Sequence, residues 1–248
     1  MANDYFKFQQ FTIRQGRCAM KVGTDGTLLG AWASVPPGDA GKVSAGLRVL
    51  DIGTGTGLIA LMMAQRYPEA NVTGIEIDHK AVVQARENVA DSPFAERIEI
   101  VEGDATKAPA EWGGAFDAIV SNPPYFEHSL QAPDERRTLA RHITALTYAA
   151  LLHTARQLLK DAGELSVVVP FDCRQRFDGE AALAGWSKVR ECAVQTTPRK
   201  APRRYLLAYA LHPKAGVEQT VGVLEDTSGQ RSAWYAELTR DFYLLPTK

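Results

Sequence analysis

Residues 47–57 read LRVLDIGTGTG, a short apolar run that ends in three glycines at alternate positions. Apolar runs of this length are typical of strands that are buried on both faces. Glycine lets the following turn adopt positive φ angles and lets a ligand approach the main chain closely. The stretch therefore predicts a buried parallel strand over 47–52 that carries a ligand-binding loop at its carboxyl end.

Similar units continue toward the C-terminus. The spacing predicts helices over 58–67, 80–89 and 138–160, the last ended by Gly163, and strands over 72–77, 98–101, 116–120 and 165–169. Strands that alternate with helices indicate a doubly wound α/β fold, in which a mostly parallel sheet lies between two helical layers. Two further β-type runs, 189–195 and 205–211, have no helix between them. They predict an antiparallel pair at the end of the sheet, which brings the expected number of strands to seven.

Acidic residues follow three consecutive predicted strands. Asp51 precedes the glycines, Glu76 ends the next strand, and Asp104 follows the third. A dinucleotide fingerprint requires a third glycine where Leu58 stands, which weakens the case for NAD. The pattern suits S-adenosylmethionine, because Glu76 can accept from both ribose hydroxyls and Asp104 from the adenine amine. The residues expected to bind this cofactor from the strand ends are Asp51, Gly53, Thr54, Gly55, Gly57, Glu76, Ile77, Asp104, Ala105 and Asn122.

A second motif, Asn122-Pro123-Pro124-Tyr125, follows the fourth predicted strand. Its prolines restrict the backbone and remove two N–H donors. The Asn122 side-chain oxygen and the Pro123 carbonyl can both accept hydrogen bonds from an exocyclic amine, while Tyr125 can stack on a planar base. We expect these four residues to catalyse an in-line methyl transfer by orientation and electrostatics, without a separate general base. The motif itself leaves adenine N6, cytosine N4 and a glutamine amide open as acceptors.

These motifs resemble those of class I methyltransferases of the amino-methylating branch. The flanks are similar to the bacterial tRNA1(Val) adenine-N6 methyltransferase family in RCAMKVGTDGTLLGAW (17–32), PRKAPRR (198–204) and the ending over 235–245. The resemblance implies a Rossmann-like fold and methylation of the adenosine 3′ of the anticodon, position 37, in a valine tRNA. It also implies that Thr24-Asp25-Gly26 closes over the methionine end of the cofactor, with Lys21 in the same cofactor-binding segment.

Basic residues gather in the flanks of the chain and near the second motif. Lys7, Arg14, Arg17 and Lys21 precede the glycine loop. In a doubly wound sheet these groups could meet at the mouth of the cleft, where phosphate contacts would position an RNA and an unpaired base would swing into the pocket. The residues expected to bind RNA are Arg136, Arg137, Arg141, Arg199, Lys200, Arg203 and Arg204.

The composition fits one globular domain: 248 residues, 45% hydrophobic, with a net charge of −1. We expect a single methyltransferase domain in three parts, with a cofactor and substrate segment (1–46), a catalytic core (47–170) and a C-terminal part with an RNA-facing loop (171–248). The apolar runs are shorter than the about 20 residues of a membrane span, the start lacks a signal-peptide pattern, and the three cysteines lie far apart. We therefore expect a cytoplasmic monomer that binds tRNA, without a metal or a membrane.

Three alternatives compete with a tRNA substrate. An N5-glutamine methyltransferase of a release factor or other protein would share the Asn-Pro-Pro-Tyr motif, but such enzymes carry a larger helical domain before the glycine loop. Residues 1–46 lack helical periodicity. A DNA adenine methyltransferase would need a separate target-recognition domain. An inactive cofactor-binding module would not require an intact Asn122 and Tyr125.

Overall fold

One mixed sheet of eight strands lies at the centre of the protein, seen in a computed structural model that describes residues 4–18, 21–36, 46–124 and 146–244. A separate hairpin of β1 (Tyr5–Lys7) and β2 (Thr12–Arg14) precedes it. The strands of the central sheet are β3 (Leu47–Ile52), β4 (Ala70–Glu76), β5 (Ile98–Glu102), β6 (Phe116–Ser121), β7 (Leu159–Pro170), β8 (Ser187–Gln195), β9 (Pro202–Ala210) and β10 (Glu218–Val223). Their order across the sheet is β10-β8-β9-β7-β6-β3-β4-β5.

Strands β3 to β7 run parallel to one another. Their carboxyl ends therefore share one side of the sheet, which we call the carboxyl edge. Strand β9 is antiparallel to both β7 and β8 and starts at this edge, where Arg204 pairs with Pro170. The predicted antiparallel pair is thus confirmed, and it brings the turn between β8 and β9 to the same edge as the glycine loop.

Helices cover both faces of the sheet, which confirms the predicted three-layer arrangement. The described helices are α1 (Thr24–Trp32), α2 (Leu58–Arg66), α3 (His79–Ala90), α4 (Tyr148–Leu158), α5 (Phe171–Leu183) and α6 (Ala233–Leu238). Successive residues of each strand point to opposite faces. Val49 accordingly belongs to the core formed with α1, α2 and α3, and Leu50 to the core formed with α4 and α5.

The sheet has one strand more than the seven predicted. Strand β10 pairs parallel with β8 at the edge of the sheet, and its first four residues are exposed. Such a strand carries little of the apolar pattern by which buried strands are recognised. The strand packs most closely at Gly222, where a Cβ atom would lie 2.3 Å from the ring of Trp234. Trp234 belongs to α6, which covers the strand.

Residues 1–46 lack helical periodicity, yet α1 occupies 24–32, so the lack of periodicity did not indicate the absence of a helix. Every residue from Gly26 to Ala31 is buried. A helix that is buried all round has no polar face, and therefore shows no amphipathic period. Close packing explains its glycines: a Cβ atom on Gly30 would lie 2.7 Å from the sulfur of Met62 in α2.

The helix predicted over 138–160 is shorter at its C-terminal end than expected. In the described part of that range, α4 begins at Tyr148, and its N-cap Thr147 accepts a hydrogen bond from the Ala150 N–H. The helix ends at Leu158 and β7 starts at once. Gly163 therefore lies within the strand and does not end the helix; a Cβ atom there would lie 2.6 Å from Leu159. Residues 138–145 lie outside the described residues.

Candidate active site

The glycine loop after β3 is fixed to the end of β4 by hydrogen bonds. The N–H groups of Gly53 and Thr54 donate to the Ile75 carbonyl at 2.9 and 3.2 Å. The loop glycines Gly53, Gly55 and Gly57 have φ angles of 74°, 56° and 81°. These lie in the left-handed region, which only glycine adopts without strain. The alternate glycines are therefore required by the backbone path of the loop.

Asp51 is buried beneath this loop. One of its oxygens, Oδ2, accepts from the Thr54 hydroxyl at 2.6 Å and from the Ala60 N–H at 3.1 Å, so it ties the loop to the first turn of α2. The other oxygen, Oδ1, has no hydrogen-bond partner among the described residues. Burial, with a smaller effect of the Glu76 charge, raises the pKa of Asp51 to about 7. A buried carboxylate with an unsatisfied oxygen favours a cationic or hydrogen-bond-donating ligand nearby.

Glu76 lies at the carboxyl end of β4 and organises the neighbouring backbone. Its Oε2 accepts from the Gly55 N–H at 3.0 Å. Its Oε1 accepts from the Ile77 and Asp78 N–H groups at 2.8 and 2.9 Å. Each carboxylate oxygen has two lone pairs, so Oε2 retains capacity for a further donor such as a hydroxyl.

Asp104 lies two residues beyond the end of β5, as the N-cap of a 3-10 turn. Its Oδ1 accepts from the hydroxyl and the N–H of Thr106 at 2.7 and 3.0 Å. These hydrogen bonds, assisted by Lys107, lower the pKa of Asp104. The carboxyl group is therefore ionised at neutral pH and acts as an acceptor.

A cavity of about 560 Å³ opens at the carboxyl edge between these strand ends. This volume is within the range of small-molecule sites. Both predicted motifs contribute to its lining. The predicted residues that line it are Gly53, Gly55, Glu76, Ile77, Asp104, Ala105, Asn122, Pro123 and Pro124. The glycine loop and the Asn-Pro-Pro turn thus border one space.

Other lining residues were not identified from the sequence. They are Ile52, Ile75, Gly103, Thr106, Lys107, Ser121, Leu146, Thr147 and Ala150. Those at strand ends adjoin predicted residues and follow from the parallel topology. The three from the start of α4 carry no motif: their signal is the Thr147 N-cap followed by an apolar helical pattern, which indicates a helix start and no more.

Several predicted cofactor residues lie beside the cavity and do not line it. Asp51 is buried against the loop, to which Thr54 and Gly57 themselves belong. Gly26 packs on the first residue of α2, since a Cβ atom there would lie 3.1 Å from Leu58. The Thr24-Asp25-Gly26 segment, which starts α1, is thereby placed next to the glycine loop. Lys21 is exposed and 4.0 Å from Asp4. Tyr125 lies outside the described residues.

The predicted RNA-binding residues of the C-terminal part lie at the carboxyl edge. Arg199, Lys200 and Arg203 are exposed in and next to the turn between β8 and β9. Arg204 is half-buried, and its guanidinium donates to Oδ1 of Asp25. Arg136, Arg137 and Arg141 lie outside the described residues.

Two of the basic residues of the N-terminal part pair with acidic residues of α3 and its C-cap, whereas Lys7 is exposed and Lys21 lies near Asp4. Arg14 contacts Asp91 at 3.0 Å, and Arg17 contacts Glu87 at 2.5 Å. Both arginines remain more than half exposed. Exposed ion pairs of this kind are weak.

The described residues contain neither a metal-binding cluster nor a membrane-spanning helix. No group of three or more His, Cys, Asp or Glu side chains is arranged to hold a metal ion in those segments. Among the helices of the described part, none has the length and apolar character needed to cross a bilayer.

Comparisons with known proteins found relatives that match most of the chain. A family model described as methyltransferase small domain matches residues 41–177. A tRNA1(Val) (adenine(37)-N6)-methyltransferase of Bacteroides thetaiotaomicron is 45% identical over 247 residues, which cover 98% of this chain and 99% of that protein. Its counterpart in Parabacteroides distasonis is 42% identical over 244 residues, with 98% and 99% covered.

A solved structure gives independent support for the fold. An Agrobacterium tumefaciens protein described as a predicted O-methyltransferase superposes with a TM-score of 0.66 at 18% sequence identity, covering 88% of this chain and 96% of that one. This similarity confirms the Rossmann-like fold of class I methyltransferases. With sequence identity extending along nearly the whole length of its relatives, the chain belongs to the family of tRNA1(Val) (adenine(37)-N6)-methyltransferases.

Proposed function

We propose that this protein transfers a methyl group from S-adenosylmethionine to the N6 amine of an adenosine in tRNA, at position 37 of tRNA1(Val). One observation carries the proposal: Asn122 and Pro123 share a single cavity with Glu76 and Asp104. An amine-binding turn and a nucleoside-binding set of carboxylates therefore face the same space. The relatives, named for this reaction, are similar along the whole chain.

The cofactor fits the residues present. Glu76 takes the ribose hydroxyls with the remaining capacity of its carboxylate, and Asp104 takes the adenine amine. Ile77, 54% exposed although apolar, provides a surface for the adenine ring. Asp51, with its unsatisfied buried Oδ1, favours the positive charge of the methionine end. Bound S-adenosylmethionine supplies an electrophilic methyl group on a sulfonium.

Asn122 and Pro123 prepare the acceptor nitrogen. Two acceptors, the Asn122 Oδ1 and the Pro123 carbonyl, hold the two hydrogens of the adenine amine away from the plane of the ring. The nitrogen lone pair is then no longer conjugated and points along the transfer direction. Pro123 is buried and Pro124 half-buried, so the turn is rigid and keeps both acceptors in place. The methylated nitrogen is acidic and loses its proton to water.

The basic turn between β8 and β9 binds the RNA backbone. Arg199, Lys200 and Arg203 are exposed at the carboxyl edge, where phosphate contacts fix the position of the anticodon loop. An unpaired adenosine of that loop then turns out of the stack into the cavity at a small cost in free energy. One chain carries both the cavity and the basic turn, so we propose that a monomer acts on tRNA in the cytoplasm.

A labelling experiment tests the proposal. The purified protein is incubated with methyl-labelled S-adenosylmethionine and total tRNA from a strain that lacks the enzyme, and the tRNA is digested to nucleosides. We expect label in N6-methyladenosine from a valine tRNA. Label in glutamine of a co-purified release factor, with none in RNA, would instead favour a protein methyltransferase. Asn122→Ala serves as the inactive control.

A further inference from the structure

An aromatic pair lies at the carboxyl edge outside the cofactor cavity. Phe171, the first residue of α5, is 49% exposed. Its ring centroid is 6.2 Å from that of Tyr205, and the two planes are tilted by 30°. The residues that α5 buries are Cys173, Phe177 and Ala181. Phe171 is not one of them, so the packing of the helix does not account for this ring.

The ring of Tyr205 lies against the side chain of Arg174. The guanidinium carbon of Arg174 lies 5.2 Å from the Tyr205 ring centroid, and Arg174 itself donates to Glu191 at 2.8 Å. A cation over the face of a ring attracts it. The Tyr205 ring is therefore fixed in place, and it supports Phe171, whose exposed surface faces solvent.

The strand register places this pair beside the catalytic turn. Strand β6 ends at Ser121, directly before Asn122, and Ser121 is level with Val167 of β7. Strand β7 continues to Pro170, directly before Phe171, and its Val169 is level with Tyr205 of β9. Neighbouring strands are about 4.8 Å apart. Phe171 thus follows directly after the strand next to that of the turn, and Tyr205 lies two strands from the turn, about 10 Å across the sheet.

The separation between the catalytic turn and the aromatic pair determines which base can stack on the pair. A base whose amine reaches Asn122 cannot also lie flat on a ring that is one to two strands away. Basic residues outnumber acidic ones nearby: Arg203 is exposed two residues before Tyr205, and Arg199 and Lys200 are exposed in the adjoining turn. The exposed carboxylate beside Phe171 is that of Asp172. Exposed aromatic rings beside cationic side chains are the combination by which proteins bind single-stranded nucleic acid.

We propose that Phe171, supported by Tyr205, stacks on an unpaired RNA base that neighbours the methylated adenosine in the same loop. The stack holds the loop open while the target base is turned into the cavity. This inference rests on the proposed function, because it needs an RNA substrate. It adds a binding surface that the cofactor and amine sites do not contain.

The test compares Phe171→Ala with the unaltered enzyme on synthetic anticodon stem-loops. One stem-loop is intact, and each of the others carries one abasic nucleotide in the loop, never at the target adenosine. Stacking of a base on an aromatic side chain corresponds to about 5- to 150-fold in affinity. We expect Phe171→Ala to raise KM for the intact RNA by that factor and to change kcat much less. Removal of the base at one loop position should raise KM of the unaltered enzyme by the same factor. The same abasic RNA should raise KM of Phe171→Ala no further.

Three matched variants separate stacking from general effects. Phe171→Trp keeps an aromatic face and should retain a low KM, whereas Phe171→Leu keeps apolar area without a π-face and should behave like Phe171→Ala. Leu183→Ala removes another exposed apolar side chain, 91% exposed at the far end of the same helix, and should leave KM unchanged. Cofactor affinity and melting temperature should be the same in all four variants.

Two results would overturn the inference. One is a Phe171→Ala enzyme with the KM of the unaltered enzyme. The other is a rise in KM on Phe171→Ala substitution that is equally large on every abasic RNA, since the Phe171 ring would then not stack on one particular base. Failure of the proposed function is separate and visible in the same assay, as an unaltered enzyme that places no methyl group on adenine N6 in any stem-loop.

Discussion

The guanidinium of Arg204 donates to the carboxylate of Asp25, joining the first residues of β9 to the first turn of α1 across the carboxyl edge. Both side chains are less than one third exposed, at 23% and 29%. The contact links the basic turn, proposed to hold RNA, with the segment that packs against the glycine loop. Neighbouring arginines 203 and 204 therefore have different surroundings despite their identical chemistry.

Arg204→Ala is expected to weaken cofactor binding, in contrast to Arg203→Ala. Without Arg204 the first turn of α1 loses a partner that helps to hold it on α2, next to Gly57. We expect about a threefold to tenfold rise in the dissociation constant of S-adenosylmethionine, which lies in the lower part of the 0.5–3 kcal/mol range of such couplings. Isothermal titration calorimetry measures it. Asp25→Asn should show a similar rise, and the double variant little more than either single one.

Arg203→Ala is expected to act on RNA alone. The side chain is exposed, and a phosphate contact contributes about one unit to the slope of log K against log salt. Binding of tRNA should weaken, with a slope flatter by about one, while cofactor affinity stays unchanged. An unaltered slope would show that this arginine does not contact phosphate.

Asn122→Ala is expected to remove methyl transfer while leaving the cofactor bound. In the proposed mechanism the side-chain oxygen accepts a hydrogen bond from the acceptor amine, and the loss of one such electrostatic contact commonly lowers kcat by about 10²- to 10³-fold. Single-turnover assays on tRNA measure the rate, and equilibrium dialysis measures cofactor affinity. Asn122→Asp keeps the accepting oxygens and serves as the matched control. Full activity of Asn122→Ala would refute the role given to the turn.

The parallel core and its site could be predicted from the sequence because their signals are local. A strand buried on both faces is a continuous apolar run, and the carboxyl ends of β3, β4 and β5 carry the glycines and acidic residues expected of a cofactor site. Since parallel strands end at one edge, Glu76, Asp104 and Asn122 had to meet there. Their shared cavity confirms that deduction.

The elements that were missed owe their structure to tertiary packing. Helix α1 is buried all round, and so lacks a polar face to reveal it. Strand β10 lies at the sheet edge with mostly exposed side chains, and so lacks an apolar pattern. The Arg204–Asp25 contact joins residues 179 positions apart. Charge patterns along the chain predict a basic cluster but cannot tell which of its members has a carboxylate partner.

Asp51→Asn is expected to change how stability depends on pH. Burial raises the pKa of Asp51 from 3.8 to about 7, so the folded protein holds this proton more tightly than the unfolded chain does. Stability of the ligand-free protein therefore falls as pH rises through this window. The variant lacks that loss, so its free energy of unfolding relative to the unaltered protein should rise by about 3 kcal/mol between pH 4 and pH 7. Urea titrations at several pH values measure the difference, and a constant difference would contradict the assigned pKa.

Gly222→Ala is expected to destabilise the edge of the sheet, because a Cβ atom there would lie 2.3 Å from the ring of Trp234. A small shift of the indole ring or of the β10 backbone does not remove such an overlap. Overpacking of this kind lowers the free energy of unfolding by about 1–3 kcal/mol. Urea denaturation measures the loss. Val221→Ala, at the preceding position and 60% exposed, controls for the strand itself and should change stability little. Replacing Trp234 by Leu in the Gly222→Ala background should restore part of the loss, since a smaller side chain leaves room for the added methyl group.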